Sequence, residues 1–137
     1  MKTFIKRGGT MTKYEELMAE YEHLHIEERP MKNDGLYADD CVWINKNMTS
    51  SRKYCTLAEE IGHYETSYGD ILDQSDISNR KQERLARQWA YEKLIPIENI
   101  HFAASDGYTQ LWEMAEYLDV DEAFLKEALI YYGILDI

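Results

Sequence analysis

Four side chains in two short stretches of this 137-residue sequence have the types and spacing of a metal-assisted hydrolase: Glu59, Glu60 and His63 in AEEIGH, and Glu83 in ERLARQWA. On a helix, positions 59 and 63 lie four apart and project from one face, so Glu59 and His63 can grip one ion together. Glu60 lies about 100° round the helix, where it can reach a water on that ion without ligating it. The stretch is one residue away from H-E-x-x-H, the zinc-hydrolase pattern whose glutamate is the general base; Glu59 takes the place of the first histidine. A carboxylate oxygen is an accepted zinc ligand, and a catalytic zinc usually takes three protein ligands. Glu59, His63 and Glu83 make such a set, and its oxygen-rich character also admits manganese or iron. The plain alternative is an ordinary charged helix, since paired glutamates are common and a lone histidine is usually structural.

The elements that must position these residues are legible in outline. Gly62 costs an α-helix about 1 kcal/mol against alanine, and close approach of a second helix would explain it. Ala86 and Ala90, on one face with Glu83, could pack against Ala58 and Gly62 and aim Glu83 at the same point. The first of these helices opens at Thr49-Ser50-Ser51, carries Tyr54, Leu57, Ala58 and Ile61 as its apolar face, and should end near Gly69. The second is capped by Asp76 or Ser78 and runs to Pro96. Upstream, a Thr12/Glu15 capping box starts a helix to about Glu22. The segments "GLYA" and "CVWIN" flank an Asp39-Asp40 turn, and with Leu24 and Ile26 they predict a small antiparallel sheet. Downstream, "IENIHFAASDGY" is expected to be a loop. Two short helices follow, marked by Leu111, Met114, Ala115 and Leu118, then by Phe124, Leu125, Ala128, Leu129 and Tyr132, with Gly133 as the stop. The fold class is α+β: a mainly helical body with a small antiparallel sheet and a C-terminal helix pair.

A net charge of −11 argues against non-specific nucleic-acid binding, because phosphates would be repelled. No apolar run approaches the length of a membrane span. The start, "MKTFIKRGGT", has no apolar core of a secretion signal. Residues 1–11 are expected to form an N-terminal extension, with disorder one option, since Met11 is a second plausible start. Cys41 and Cys55 form no disulfide framework, which suits a reducing cytoplasm. His23 and His25 are expected to face solvent, His101 to sit in a loop rather than serve as a fourth ligand, and Tyr64 and Tyr68 to pack rather than meet an oxyanion. The C-terminal "LWEMAEYLDVDEAFLKEAL" has a helix-turn-helix rhythm but is acidic. It therefore predicts packing or the docking of a partner protein rather than DNA.

Beyond these patterns, "CTLAEEIGHYETSYGDIL" followed by "ERLARQWAYEKLIP" resembles the ImmA/IrrE family of metallopeptidases, which occur in phages, prophages and mobile elements. That family carries L-A-H-E-x-G-H on one helix, then E-x-x-A-x-x-F-A and a nearby L-x-P. Leu57-Ala58-Glu59-Glu60-Ile61-Gly62-His63 departs only at Glu59. Glu83, Ala86, Trp89, Ala90, Leu94 and Pro96 follow the second pattern, with tryptophan for phenylalanine. The likeness spans roughly residues 12–100 and implies a zincin-like domain there, with 101–137 as a helical segment packed on it. It implies a cytoplasmic zinc endopeptidase whose substrate is a helix-turn-helix repressor, with no direct nucleic-acid or membrane contact. By position, His63 and Glu83 become metal ligands and Glu60 the base that activates a metal-bound water. Three ligands of the type Glu, His, Glu leave zinc formally neutral, so the water is less acidified than in the parent pattern. Three outcomes stay open: an active variant site, a metal site kept for structure or regulation, and a scaffold that has become a protein-binding module.

Overall fold

The computed structural model describes residues 10–67 and 76–136, the side chains of 76–78 excepted. The expected helix stop at Gly69, the caps at Asp76 and Ser78, the phenol of Tyr68 and most of the N-terminal extension lie outside what is described. Helix α1 spans Lys13–Glu20. Its capping box is formed as expected: Thr12 Oγ1 accepts from the Glu15 amide at 3.1 Å, and Glu15 Oε1 accepts from the Thr12 amide at 2.9 Å.

Strands β1 (His25–Arg29), β2 (Gly35–Ala38) and β3 (Cys41–Asn45) form one sheet in the order β1-β3-β2. The β2–β3 hairpin turns at Asp39 and Asp40, both at positive φ, where a short polar side chain is tolerated. The sheet is mixed, however, and not antiparallel throughout: β1 runs parallel to β3, with Ile26 opposite Val42 and Glu28 opposite Ile44. The cause is the 30–34 connection, which carries the chain past the end of β3 instead of turning back as a hairpin. Asn45 donates to the Asp34 carbonyl at 2.8 Å and Lys46 to the Arg29 carbonyl at 2.9 Å, so the end of β3 is tied to both ends of that crossing. Strand β2 is thereby left at an edge.

Helix α2 (Ser50–Thr66) starts where Thr49 Oγ1 accepts from the Arg52 amide, and it ends three residues before Gly69. Helix α3 (Asp76–Leu94) packs along it. A second departure follows Pro96: "IENIHFAAS" is helix α4 (Ile97–Ser105), not a loop. Proline stops α3, but its fixed φ also suits the entrance of a new helix. Ile100 and Ala103, three apart, are buried beneath α4, while His101 is exposed on it. Helices α5 (Leu111–Leu118) and α6 (Glu122–Tyr131) form the expected terminal pair, joined through Asp119 in the left-handed region and the N-cap Asp121.

One apolar core runs from Tyr14 and Leu17 of α1 through Val42 and Ile44 of β3 to Phe124, Leu125 and Leu129 of α6. Its centre is the α2–α3 seam, where Ala58, Ile61, Ala86 and Ala90 are at most 1 % exposed. A Cβ on Gly62 would stand 2.4 Å from the carbonyl oxygen of Ala86. The glycine inside α2 is therefore explained by the backbone of α3 lying against it. Among the described residues no helix is long and apolar enough to cross a membrane.

Candidate active site

Glycine at position 62 lets α2 and α3 meet closely, and that proximity places the polar side chains at the rim of the seam. His63, the next residue on α2, reaches Glu83 on α3: the His63 Nε2 to Glu83 Oε1 distance is 3.1 Å. Glu60, His63 and Glu83 line one open cleft with Gln82 of α3, Ser67, and Gly35, Leu36 and Tyr37 of the β2 edge. The cleft is thus walled by two helices and floored at one side by an edge strand. A Cβ on Gly35 would come within 3.1 Å of Glu60 Cγ and Oε2 and within 2.7 Å of Thr56 Cγ2. Glycine at 35 keeps the strand close to the Glu60 carboxyl without displacing it.

Glu60 is half-buried, and its carboxyl is pushed up to about 7 by burial first, then by the charges of Glu59 and Glu83. Among the described residues no cation offsets these effects at Glu60. Glu59 is also raised to about 7, again mainly by burial. Its surroundings differ: Arg52 and Arg87 favour its charged form, while Glu127 and Glu83 oppose it. Arg52 is anchored in turn, with Nη2 2.8 Å from Asp34 Oδ2 and Nη1 3.7 Å from Asp121 Oδ2. Arg87 lies 4.0 Å from Glu83. Glu59 does not line the cleft that holds Glu60, His63 and Glu83. Of the sequence-derived ligands, then, His63 and Glu83 are in contact, and Glu59 lies outside their cleft among charges of both signs. Among the described residues no three His, Cys, Asp or Glu side chains are grouped to hold a metal as they stand.

The two raised carboxyls make a testable statement about pH. Unfolded, each ionises near the ordinary glutamate value; folded, each keeps its proton to about 7. Between those values the folded chain binds more protons, so their contribution to stability is fully present below about pH 4.5 and lost as pH rises through 7. Chelator-treated protein is expected to lose up to about 3 kcal/mol per such group over that interval. Urea denaturation at a series of pH values measures it, and a flat or rising stability would contradict the burial of these carboxyls.

Other polar candidates are accounted for. The Tyr64 hydroxyl lies 3.2 Å from His23 Nε2, and its ring packs with Tyr21, His23 and Tyr37, so it is a packing residue. His25 is exposed and meets Glu27 at 3.3 Å. Burial pushes the Cys55 thiol up to about 12, which leaves it protonated and inert as a nucleophile. Gly35, Leu36, Tyr37 and Gln82 are cleft residues that the sequence did not single out. Only Gly35 carried a signal, as a glycine opening a strand.

A family model named Peptidase_M78 and described as the IrrE N-terminal-like domain matches residues 5–129. No curated protein matches the chain.

Proposed function

We propose, for a chain that belongs to this family of IrrE N-terminal-like metallopeptidase domains, that it is a metal-dependent endopeptidase acting on a protein substrate in the cytoplasm. The observation that carries the reading is the shared cleft of Glu60, His63 and Glu83 beside β2, an edge strand among the described residues. Two ligand atoms on one tetrahedral zinc lie roughly 3.3 Å apart, so the 3.1 Å between His63 and Glu83 fits a shared ion. Among the described residues the cleft is also short of positive charge at Glu60, which a divalent cation would supply. His63 and Glu83 would hold zinc, with manganese or iron as alternatives; Glu59, the third ligand by sequence position, would have to turn into the cleft to join them. When bound, the metal polarises the scissile carbonyl and acidifies water.

The protein's own groups supply the remainder. An extended peptide can pair with the open edge of β2, which fixes its carbonyls relative to Glu60. Without metal the Glu60 carboxyl is held up to about 7; a bound cation would favour its carboxylate form, which can take a proton from the attacking water and return it to the leaving amine. Tyr37, on the same edge, presents its phenol beside the cleft, with its hydroxyl 3.4 Å from Asp40 Oδ1. The substrate we propose is a helix-turn-helix repressor of a phage or mobile element, in keeping with the resemblance described above.

Elemental analysis of untagged protein tests the metal directly. About one zinc or manganese per chain is expected, lost in His63→Ala and Glu83→Ala. Absence of metal after incubation with zinc or manganese would sink the peptidase reading. One observation favours a second reading: Glu59 does not line the cleft in which His63 meets Glu83. On that reading the scaffold is a non-catalytic module that binds a regulator, and binding is indifferent to chelators and to Glu60→Gln.

A further inference from the structure

We infer that the exposed aromatic face of α4 and α5 is a docking site for an arginine-bearing segment of a partner protein. Tyr108, Trp112, Glu113, Glu116 and Tyr117 line a pocket of about 350 Å³ that shares no residue with the cleft of Glu60 and His63. Trp112 is 56 % exposed and Phe102, beside Tyr117 in the adjoining depression, is 63 % exposed. Exposing that much aromatic surface costs solubility, so a contiguous patch of this kind marks an interaction site.

The patch is preorganised. Tyr108 and Tyr117 stack at 4.7 Å between ring centroids, and the Tyr117 hydroxyl donates to Asp106 Oδ2 at 2.9 Å. Glu113 and Glu116 lie three apart on α5, on one side of the helix, and neither has an ion-pair partner among the described residues. A guanidinium can lie flat on an indole or phenol ring while its N–H groups reach two carboxylates. Three aromatic rings and two glutamates without an ion-pair partner among the described residues supply that combination in one pocket. Charge selects the occupant: the chain carries a net −11, so an acidic segment or a nucleic acid is repelled while a basic one is drawn in.

The binding stands without the peptidase reading, though on that reading this face would recruit a basic substrate. It is therefore tested on the full chain carrying Glu60→Gln, by calorimetric titration with a short acetylated peptide alternating arginine and leucine. The arginine peptide is expected to bind, and binding should weaken about tenfold in Trp112→Ala and again in Glu113→Gln/Glu116→Gln. The dependence on salt should fall in the second variant. A lysine version should bind several-fold more weakly, and a glutamate version not at all. Trp112 and Glu116 are exposed and Glu113 is half-buried, and none belongs to the apolar core, so unchanged thermal melting should accompany the losses. No binding of the arginine peptide, or binding within about twofold in both variants, overturns the proposal. So does sedimentation showing that Trp112→Ala abolishes a dimer while peptide binding is unaffected, because the face would then join copies of this chain.

Discussion

Glu60→Gln is expected to lower peptide hydrolysis by about a thousandfold while the chain stays folded, binds its metal and becomes more stable once the metal is removed. The first effect follows from the role of a positioned base, whose removal typically costs two to four orders of magnitude. Glutamine keeps the shape and can still accept a hydrogen bond, but it cannot take the proton of the attacking water. The second effect follows from burial. Above pH 7 Glu60 carries its charge against desolvation and against Glu59 and Glu83, with no cation beside it among the described residues. A neutral amide avoids this, and about 1–3 kcal/mol of added stability at pH 8 is expected, vanishing near pH 4.5, where the acid is already neutral. Gains in stability on deleting a catalytic group are the usual sign of a site held at a cost to the fold. Cleavage measured on a labelled repressor, with melting measured in chelator, checks both. Hydrolysis within tenfold of the parent chain would remove Glu60 from the chemistry. A loss of stability would show that its carboxyl is satisfied in a way its surroundings do not predict.

Gly62→Ala should be the most damaging single methyl in the protein, with a loss of about 2–4 kcal/mol. Alanine is the better helix former by about 1 kcal/mol, so an increase in stability would follow if nothing lay opposite. The new Cβ instead meets the Ala86 carbonyl oxygen at 2.4 Å and the Ala86 carbonyl carbon and Cα at 3.0 Å. These are backbone atoms of α3 and cannot rotate away, so the helices must separate along their seam. Separation also draws His63 away from Glu83, since those side chains bridge the same two helices at the next position. Reduced metal affinity should therefore accompany the lower melting temperature. A stability equal to or above that of the parent would refute the close approach.

Much of this arrangement was settled locally. The placement of Glu59, Glu60 and His63 on α2 follows from the capping run at Thr49 and from the 3.6-residue turn, which no distant contact needs to enforce. Gly62 announced its neighbour because a glycine within a helix is costly unless something fills the space, and Ala86 and Ala90 on the later helix named what fills it. The capping box at Thr12 and Glu15 and the hairpin turn at Asp39-Asp40 were equally readable, since each is a hydrogen-bond or φ preference within a few residues.

Tertiary structure decided the remainder. Whether β1 pairs beside β2 or beyond it on β3 depends on the path of the 30–34 connection, and the alternation of Leu24 and Ile26 is the same in either arrangement. Helix α4 was hidden because Pro96 signals a stop and a start with the same residue. The surroundings of Glu59 come from Arg52 on its own helix, Arg87 and Glu83 on α3 and Glu127 on α6. Helical periodicity shows which residues share a face, but it carries no record of which charges from other helices will meet that face. That is why the spacing of Glu59 and His63 could suggest a shared ion, whereas only the packed helices put His63 against Glu83 and left Glu59 outside their cleft.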